Sequence, residues 1–322
     1  RVFSPEHGFR GKADAGELVK DGIDTKSGVE VVSLYGSNKK PKPSSIKDID
    51  IIVFDIQDVG ARFYTYISTM SYVMEACAEN VKDFVVLDRP NPNGFYVDGP
   101  VLEKKQKSFV GMHQIPVVHG MTMGEYAKMV NEEGWLKNGV RCALEVVKCE
   151  GYTHKDFYQL PIKPSPNLPN MTSIYLYPSL CFFEGTVLSV GRGTDKPFQI
   201  YGHPNYEKSA FEFIPISTEG AKNPKLKGER CNGVDLSLIG GDFIKRKKAL
   251  HLDWLWFAYK DYPNKDTFFL ANNFFNLLAG NSTLMEQINE LKSMEEIRAS
   301  WQQDLMSFKA IRRKYLLYAD FE

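Results

Sequence analysis

The sequence predicts an α/β fold in which a domain built on a parallel sheet precedes a smaller α+β unit. Residues 49–55 and 84–88 form apolar, branched runs, as expected for strands that are buried on both faces. Between them, residues 65–80 carry apolar side chains at helical spacing. Such a βαβ unit pairs its strands in parallel, so Asp55 and Asp88 should emerge at the same edge of one sheet.

The next elements follow from local signals. Thr122 and Glu125 have capping-box spacing at the start of a helical pattern over residues 122–133, and a strand pattern covers 142–147. Residues 161–178 contain five prolines, which predicts a rigid, non-helical loop that crosses a surface or lines a cleft.

The second unit begins where the pattern changes, near residue 203. Short strand patterns cover residues 211–216 and 233–238, and helical patterns end in a stretch over 293–318. Ser293 and Glu296 again have capping-box spacing at its start. We therefore place the domains at 1–202 and 203–322.

Composition limits the function classes. The 322 residues suffice for two packed units, and 40 Lys and Arg balance 40 Asp and Glu, so no net charge favours nucleic acid. No apolar run approaches the roughly 20 residues of a membrane-spanning helix. The five cysteines are too scattered for a disulfide framework or a metal knuckle. The first residues read like the end of a strand, so we expect an upstream strand and helix to be missing, together with any export signal.

Two clusters of polar residues follow strand patterns near the start of the chain, where open α/β sheets bind ligands. The first, residues 4–11, holds ionisable side chains in a Pro/Gly turn; the alternative is a surface turn with an ion pair between Arg10 and Glu6. The second, residues 55–66, is rich in hydrogen-bonding groups, and its alternative is a helix cap made by Asp58 or Thr65. Their candidate site residues are Glu6, His7, Arg10, Asp55, Gln57, Asp58, Arg62, Tyr64 and Tyr66.

Two further clusters lie later in the chain. The third, residues 88–94, presents Asp88 and Asn91 on a proline-fixed backbone, and its alternative is an Asn/Pro turn without a ligand. The fourth, residues 183–196, has closely spaced glycines around Glu184 and Arg192, and such a backbone can approach a ligand closely.

Other chemistries find little support. There is no Walker A loop and no GxGxxG after the first strand, so we expect no nucleotide cofactor. The histidines lack the spacing of a helical zinc site, so we expect no metal. There is also no GxSxG nucleophile elbow.

Taken together, the clusters resemble the NamZ-type exo-acting N-acetylmuramidases. The resemblance covers essentially the whole chain and rests on SPEHGFRG (4–11), IVFDIQDVGARFYTYISTM (52–70), VLDRPNPNG (86–94), DGPVL (98–102), SFVGMHQIPVVHGMTMGE (108–125), PSPNLP (164–169), and EGT with GRGTDKPF (184–198). The chain departs from the family pattern at Asn93 and Val190.

The resemblance implies a Rossmann-like catalytic domain with a C-terminal auxiliary domain. It also implies an exported bacterial enzyme that removes N-acetylmuramic acid from the non-reducing end of peptidoglycan fragments, either muropeptides or disaccharides, without a nucleotide or other cofactor. Glycosidic cleavage needs a protonated acid and a group that meets the positive charge on the sugar. We assign the role of the acid to Glu6; the alternative is that Glu6 is the group that meets the positive charge. Asp55, Asp58 and Glu184 are the candidates for the second carboxylate.

The substrate's own acetamido carbonyl is an alternative nucleophile, so retention and inversion both stay open. The lactyl carboxylate of muramic acid requires a cation, for which Arg10, Arg62 and Arg192 are candidates. The remaining candidate binding residues are His7, Gln57, Tyr64, Tyr66, Asp88, Asn91, His119 and Asn167. Two rival hypotheses are a non-catalytic glycan-binding module and, ranked last, an esterase or amidase, for which no nucleophile and base pair is recognisable.

Overall fold

A computed structural model describes residues 1–10, 17, 20–206 and 209–322 of the chain; Gly11, the last residue of the first cluster, lies outside them. The first half of the described chain contains β1 (Val2–Ser4), β2 (Gly22–Ile23), β3 (Glu30–Ser33), α1 (Pro43–Ile46), β4 (Ile51–Phe54), α2 (Tyr66–Glu79), β5 (Asp83–Leu87), α3 (Met123–Glu132), β6 (Ala143–Val147) and α4 (Met171–Leu180). The second half contains β7 (Ile200–His203), β8 (Phe211–Phe213), β9 (Cys231–Asp235), α5 (Gly240–Lys247), α6 (Asp253–Asp261), α7 (Phe274–Ala279), α8 (Thr283–Asn289), α9 (Met294–Ala299) and α10 (Gln302–Arg312).

The predicted βαβ unit is confirmed. Strands β4, β5 and β6 form a parallel sheet in that order, and α2 connects the first two. Ile51 pairs with Asp83 and Phe54 with Val86, so Asp55 and Asp88 follow their strands at the same edge. The mixed α/β class with a parallel sheet is therefore correct.

The expectation that these strands are buried on both faces was wrong. Ile52 and Phe54 are buried beneath the helices, whereas Ile51 and Val53 on the opposite face are about half exposed. The reason is that α2 and α3 both pack on the sheet formed by β4, β5 and β6, and no described helix covers its other face to the same extent.

A second small sheet carries the start of the chain. Strand β1 pairs in parallel with β3, which pairs antiparallel with β2. Strand β1 ends at Ser4, so Pro5 and Glu6 leave the sheet at once. The turn then takes left-handed backbone at His7 (φ 69°) and Gly8 (φ 73°), and the Gly8 amide donates to the Pro5 carbonyl at 3.1 Å.

Both predicted capping boxes are present. At the start of α3, the Thr122 hydroxyl accepts from the Glu125 amide, and the Glu125 carboxylate accepts from the Thr122 amide at 2.9 Å. Ser293 and Glu296 make the same reciprocal pair at the start of α9. Local hydrogen bonding therefore fixes these helix starts as the sequence indicates.

The prediction that residues 161–178 are non-helical was wrong for their last part. Helix α4 begins at Met171, is capped by Asn170, and contains Pro178. Proline has no amide hydrogen, so the Ile174 carbonyl loses its helical donor. The Asn93 side chain donates to that carbonyl at 3.1 Å instead, which makes the proline tolerable.

The second half packs onto the first through one continuous core. Strands β7, β9 and β8 form an antiparallel sheet, and the later helices add Phe275, Leu278 and Phe308 to the main apolar cluster. Asp98 ties the halves together, because it accepts from the Arg298 side chain at 2.6 Å and the Leu250 amide at 2.8 Å. Among the described residues, no helix combines the length and apolar character needed to cross a bilayer.

Candidate active site

A cavity of about 280 Å³ lies where distant loops meet. Its walls come from the turn after β1, the loop after β3, the residues just before α2, residues 109–110, the proline-rich loop before α4, α4 itself, the segment between α4 and β7, and α7. The lining residues are Glu6, His7, Tyr35, Phe63, Tyr64, Thr65, Phe109, Val110, Ser165, Asn167, Leu168, Tyr177, Cys181, Glu184, Arg192, Phe198, Phe274 and Leu278. The first, second and fourth sequence clusters therefore contribute to one cavity.

Glu6 is held by neutral hydroxyl donors. The Tyr35 hydroxyl donates to Oε1 at 3.1 Å and the Thr65 hydroxyl to Oε2 at 2.9 Å. The Tyr66 hydroxyl donates to the Glu6 backbone carbonyl at 3.4 Å, which fixes the turn as well as the side chain. Glu6 thus has a defined orientation towards the cavity that it lines.

Glu184 is held by a cation instead. Arg192 donates from Nε to Oε1 at 2.7 Å and from Nη2 to Oε2 at 3.1 Å, a bidentate pair. Burial alone would raise the pKa of Glu184, but the charge and hydrogen bonds of Arg192, with the charge of Lys225, lower it below its ordinary value. Glu184 is therefore a carboxylate at neutral pH.

Aromatic rings form much of the remaining wall. The Tyr177 ring lies edge-on to Phe63 at 5.4 Å and to Tyr64 at 5.8 Å, measured between ring centroids. The Arg192 guanidinium lies over the Phe198 ring at 4.8 Å. Ring faces of this kind can pack against the apolar face of a sugar while the polar groups address its substituents.

Asn167 and Tyr64 line the cavity and also brace its walls. The Asn167 side chain donates to the Gly220 carbonyl at 2.7 Å, and the Tyr64 hydroxyl donates to the Pro164 carbonyl at 3.0 Å. Each bond links a loop of the first half to another segment. These contacts hold the proline-rich loop against the cavity.

Asp55 and Arg10 lie outside this lining, each in a surface ion pair. Asp55 accepts from Arg89 at 2.7 Å, and both side chains are nearly half exposed. Arg10 pairs with Asp24 at 2.6 Å. The Arg10 to Glu6 pair that we considered from the sequence is replaced by this one.

Asp58 and Arg62 are buried beneath the site. Asp58 accepts from the Gly60 amide at 2.6 Å, and burial raises its pKa to about 7. The Arg62 guanidinium donates to the carbonyls of Pro100, Ile115 and Leu278, and burial lowers its pKa to about 9. Through Leu278, Arg62 supports one residue of the cavity wall.

The other candidates make internal hydrogen bonds. Gln57 donates to the Asp58 and Pro90 carbonyls. The Asp88 carboxylate accepts from Thr122, Tyr318 and the Gly124 amide; burial raises its pKa although these bonds oppose the shift.

Asn91 and His119 also belong to the interior. Asn91 donates to the Met121 carbonyl and accepts from the Asn93 amide. His119 Nδ1 accepts from the Met121 amide, and burial, followed by the charge of Arg312, lowers the pKa of His119 to about 3. His119 is therefore a neutral interior residue at physiological pH.

Sequence reasoning missed several lining residues. Tyr35 follows a four-residue strand in a loop without any motif signal. Thr65 was considered only as a helix cap, although its hydroxyl instead binds Glu6. Tyr177 and Phe274 belong to helices whose place beside the turn after β1 is set by tertiary packing alone.

Comparison with known proteins decides the family. Residues 1–172 match the model of the N-terminal domain of the exo-β-N-acetylmuramidase NamZ, and residues 175–318 match that of its C-terminal domain. The chain is 42% identical to the peptidoglycan β-N-acetylmuramidase NamZ of Bacillus subtilis, over 98% of this chain and 79% of that protein. This chain belongs to the NamZ family.

Two crystal structures of DUF1343 family proteins from Bacteroides fragilis share the fold. One is 50% identical with a TM-score of 0.90 and covers 99% of this chain and 86% of that chain. The other is 32% identical with a TM-score of 0.77, over 98% and 85% of the respective chains. The two-domain α/β architecture of a NamZ-family protein is thus established.

The cavity of this NamZ-family chain draws on both matched domains. Glu6 falls within the N-terminal match, and Glu184 with Arg192 falls within the C-terminal one. The two departures from the family pattern, Asn93 and Val190, are buried and are absent from the cavity lining described above. The predicted domain boundary at residue 202 stays a prediction.

Proposed function

We propose that this chain is an exo-β-N-acetylmuramidase that releases N-acetylmuramic acid from the non-reducing end of peptidoglycan fragments. The observation that carries the proposal is the pairing of two unlike carboxyl groups in one cavity. Glu6 is bound by hydroxyl groups, and Glu184 is bound by a guanidinium. Glycosidases assign different tasks to two such groups.

In this proposal Glu6 is the general acid. Its protonated carboxyl transfers a proton to the glycosidic oxygen as the bond from that oxygen to C1 of the muramic acid breaks. Water adds to C1, and the proton that it releases returns to Glu6 in a retaining reaction or passes to the second carboxylate, Glu184, in an inverting one, where exchange with solvent restores both groups. The products are free N-acetylmuramic acid and a fragment that is one sugar shorter.

Glu184 then supplies the negative charge that faces the oxocarbenium-like sugar. Both of its carboxylate oxygens are engaged by Arg192, which fixes their direction and keeps them ionised. We therefore assign Glu184 to stabilising charge and orienting the acetamido group or the water. The anomer of the released sugar distinguishes substrate-assisted retention from inversion.

Arg192 also fits recognition of the lactyl carboxylate. One edge of its guanidinium holds Glu184, while Nη1 makes no hydrogen bond with a described residue, and the side chain lines the cavity. A guanidinium can bind a second carboxylate end-on through its other edge, which includes Nη1. Lysine would supply the charge without this geometry.

The roles of the carboxyl groups are tested with Glu6→Gln and Glu184→Gln on a chromogenic β-muramide. We expect kcat to fall by about 10²–10⁴-fold in each, because each removes a group that acts on the transition state. Asp55→Asn is the matched control, since Asp55 lies at the surface in a pair with Arg89. Near-normal turnover in Glu6→Gln would remove Glu6 from catalysis.

The binding alternative is tested in the same samples. If the wild-type protein binds muramic acid in a calorimeter but releases no product from any muramide, the glycan-binding hypothesis replaces the enzyme.

The role of Arg192 is tested by comparing muramide and glucosaminide substrates in Arg192→Ala and Arg192→Lys. Unchanged discrimination in both would clear Arg192 of carboxylate recognition.

We also propose that the protein acts outside the cytoplasmic membrane of a bacterium. Peptidoglycan fragments, the proposed substrate, are released there, and the similar proteins described above come from the bacteria Bacillus subtilis and Bacteroides fragilis. Cell fractionation of the source organism with an antibody against this chain tests the location. Recovery in the cytoplasmic fraction alone would contradict it.

A further inference from the structure

Lys225 lies directly behind the Glu184 segment and outside the cavity lining. Its ammonium donates to the carbonyls of Thr186 at 2.5 Å and Leu188 at 3.1 Å. Two longer contacts, which share the third ammonium hydrogen, reach the carbonyls of Phe183 at 3.3 Å and Glu184 at 3.5 Å. Four backbone carbonyls of one short segment therefore converge on a single side chain.

The convergence has a backbone cause. Helix α4 continues into a 3₁₀ turn over Cys181–Gly185 that carries Glu184. The two short bonds of Lys225 go to Thr186 and Leu188, just after this turn, whereas the Phe183 carbonyl within it also accepts from the Thr186 amide at 3.0 Å. A cation at this position complements the partial negative charge at the C-terminal end of the turn. Lys225 therefore fixes the backbone that leads away from Glu184.

The same ammonium acts on Glu184 through its charge. Arg192 lies on the cavity side of the Glu184 carboxylate and Lys225 on the backbone side, and both cations favour its ionised form. Burial lowers the pKa of Lys225 to about 8, an effect that the charge of Glu184 opposes and that of Arg192 reinforces. Lys225 is therefore mostly protonated at neutral pH.

We propose that Lys225 is a positioning residue for the proposed glycosidase reaction, which holds the Glu184 backbone against Arg192 and keeps the Glu184 carboxylate charged. It touches neither the cavity nor the reacting atoms. The inference rests on the proposed function for its kinetic consequence, but the effect on Glu184 is measurable without turnover.

The kinetic test uses Lys225→Gln, which keeps two donors and removes the charge, and Lys225→Met, which removes both. Lys227→Gln is the matched control, because Lys227 lies on the same loop and, within the part of the chain that the structure describes, donates only to the Lys222 carbonyl. We expect the acid limb of kcat/KM against pH to move up by roughly one unit in Lys225→Gln, the low end of the effect of a nearby charge. Below that limb, this shift is about a tenfold loss of kcat/KM.

The direct test is a ¹³C NMR titration of the Glu184 carboxyl, assigned by its absence in Glu184→Gln. We expect its pKa to rise in Lys225→Gln and to stay at the wild-type value in Lys227→Gln. An unchanged Glu184 pKa in folded Lys225→Gln would overturn the inference. This outcome decides the matter even if Lys225→Met does not fold. If the wild-type protein cleaves no muramide but the pKa rises, the proposed function fails while the role of Lys225 towards Glu184 stands.

Discussion

Replacing Asp58 by asparagine should change how stability depends on pH. The Asp58 side chain is almost fully buried; its Oδ1 has no hydrogen-bond partner among the described residues, and its Oδ2 accepts from the Gly60 amide at 2.6 Å. Burial raises the pKa of Asp58 to about 7, although the amides of Gly60 and Val59 oppose the shift. An unfolded aspartate titrates near 3.9.

The sign follows from proton uptake. Between about pH 4 and 7 the folded protein holds a proton on Asp58 that the unfolded chain has lost, so the folded state is favoured most at low pH. That contribution is lost as the pH rises through 7. With these two pKa values, the wild-type protein loses about 3 kcal/mol from this group between pH 4.5 and pH 8.

The assay is urea unfolding of wild-type and Asp58→Asn proteins at pH 4.5, 6 and 8. Asparagine does not titrate in this range. The free energy of unfolding of Asp58→Asn minus that of the wild-type protein should therefore increase by about 3 kcal/mol from pH 4.5 to pH 8. Turnover should persist, because Asp58 is not part of the cavity lining. An equal effect at all three pH values would refute the reasoning, and a folded but inactive variant would restore Asp58 as a catalytic candidate.

Two further substitutions test the interior. Arg62→Met should lower the free energy of unfolding by about 3 kcal/mol, because the buried carbonyls of Pro100 and Leu278 lose their donor and that of Ile115 keeps only the Leu102 amide; no change in denaturation midpoint would contradict this. Asn93→Ala should cost about 2 kcal/mol in the wild-type background, since the carbonyls of Val59 and Ile174 lose a donor. It should cost measurably less in Pro178→Ala, where residue 178 regains an amide hydrogen for the Ile174 carbonyl, and a strictly additive double-mutant cycle would show that this account of the proline is mistaken.

The sequence was sufficient where local pattern decides structure. Apolar periodicity indicated β4, α2 and β5, and the Thr122 and Ser293 capping boxes marked helix starts. It was insufficient where a distant residue supplies the missing bond. Pro178 is compatible with a helix because Asn93 donates to the carbonyl of Ile174, 81 residues further along the chain, which the proline leaves without a donor.

In the candidate site, too, local pattern predicted some residues correctly, and long-range packing decided the others. Carboxylates in Gly- and Pro-rich loops indicated Glu6 and Glu184, and both line the cavity. Asp55 emerges at the predicted sheet edge, yet it pairs with Arg89 at the surface, because the cavity is built from the turn after β1, the residues just before α2, the proline-rich loop and segments from α4 onward. Strand order alone does not specify that packing.

The most direct measurement of the central claim is product analysis on a defined disaccharide, N-acetylmuramic acid linked β-1,4 to N-acetylglucosamine. We predict that the wild-type protein and Asp55→Asn release equal amounts of the two sugars, whereas Glu6→Gln and Glu184→Gln release them at least about 10²-fold more slowly while still binding the disaccharide. An intact disaccharide after incubation with the wild-type protein, or undiminished release by both variants, would contradict the claim that these two carboxyl groups form a muramidase active site.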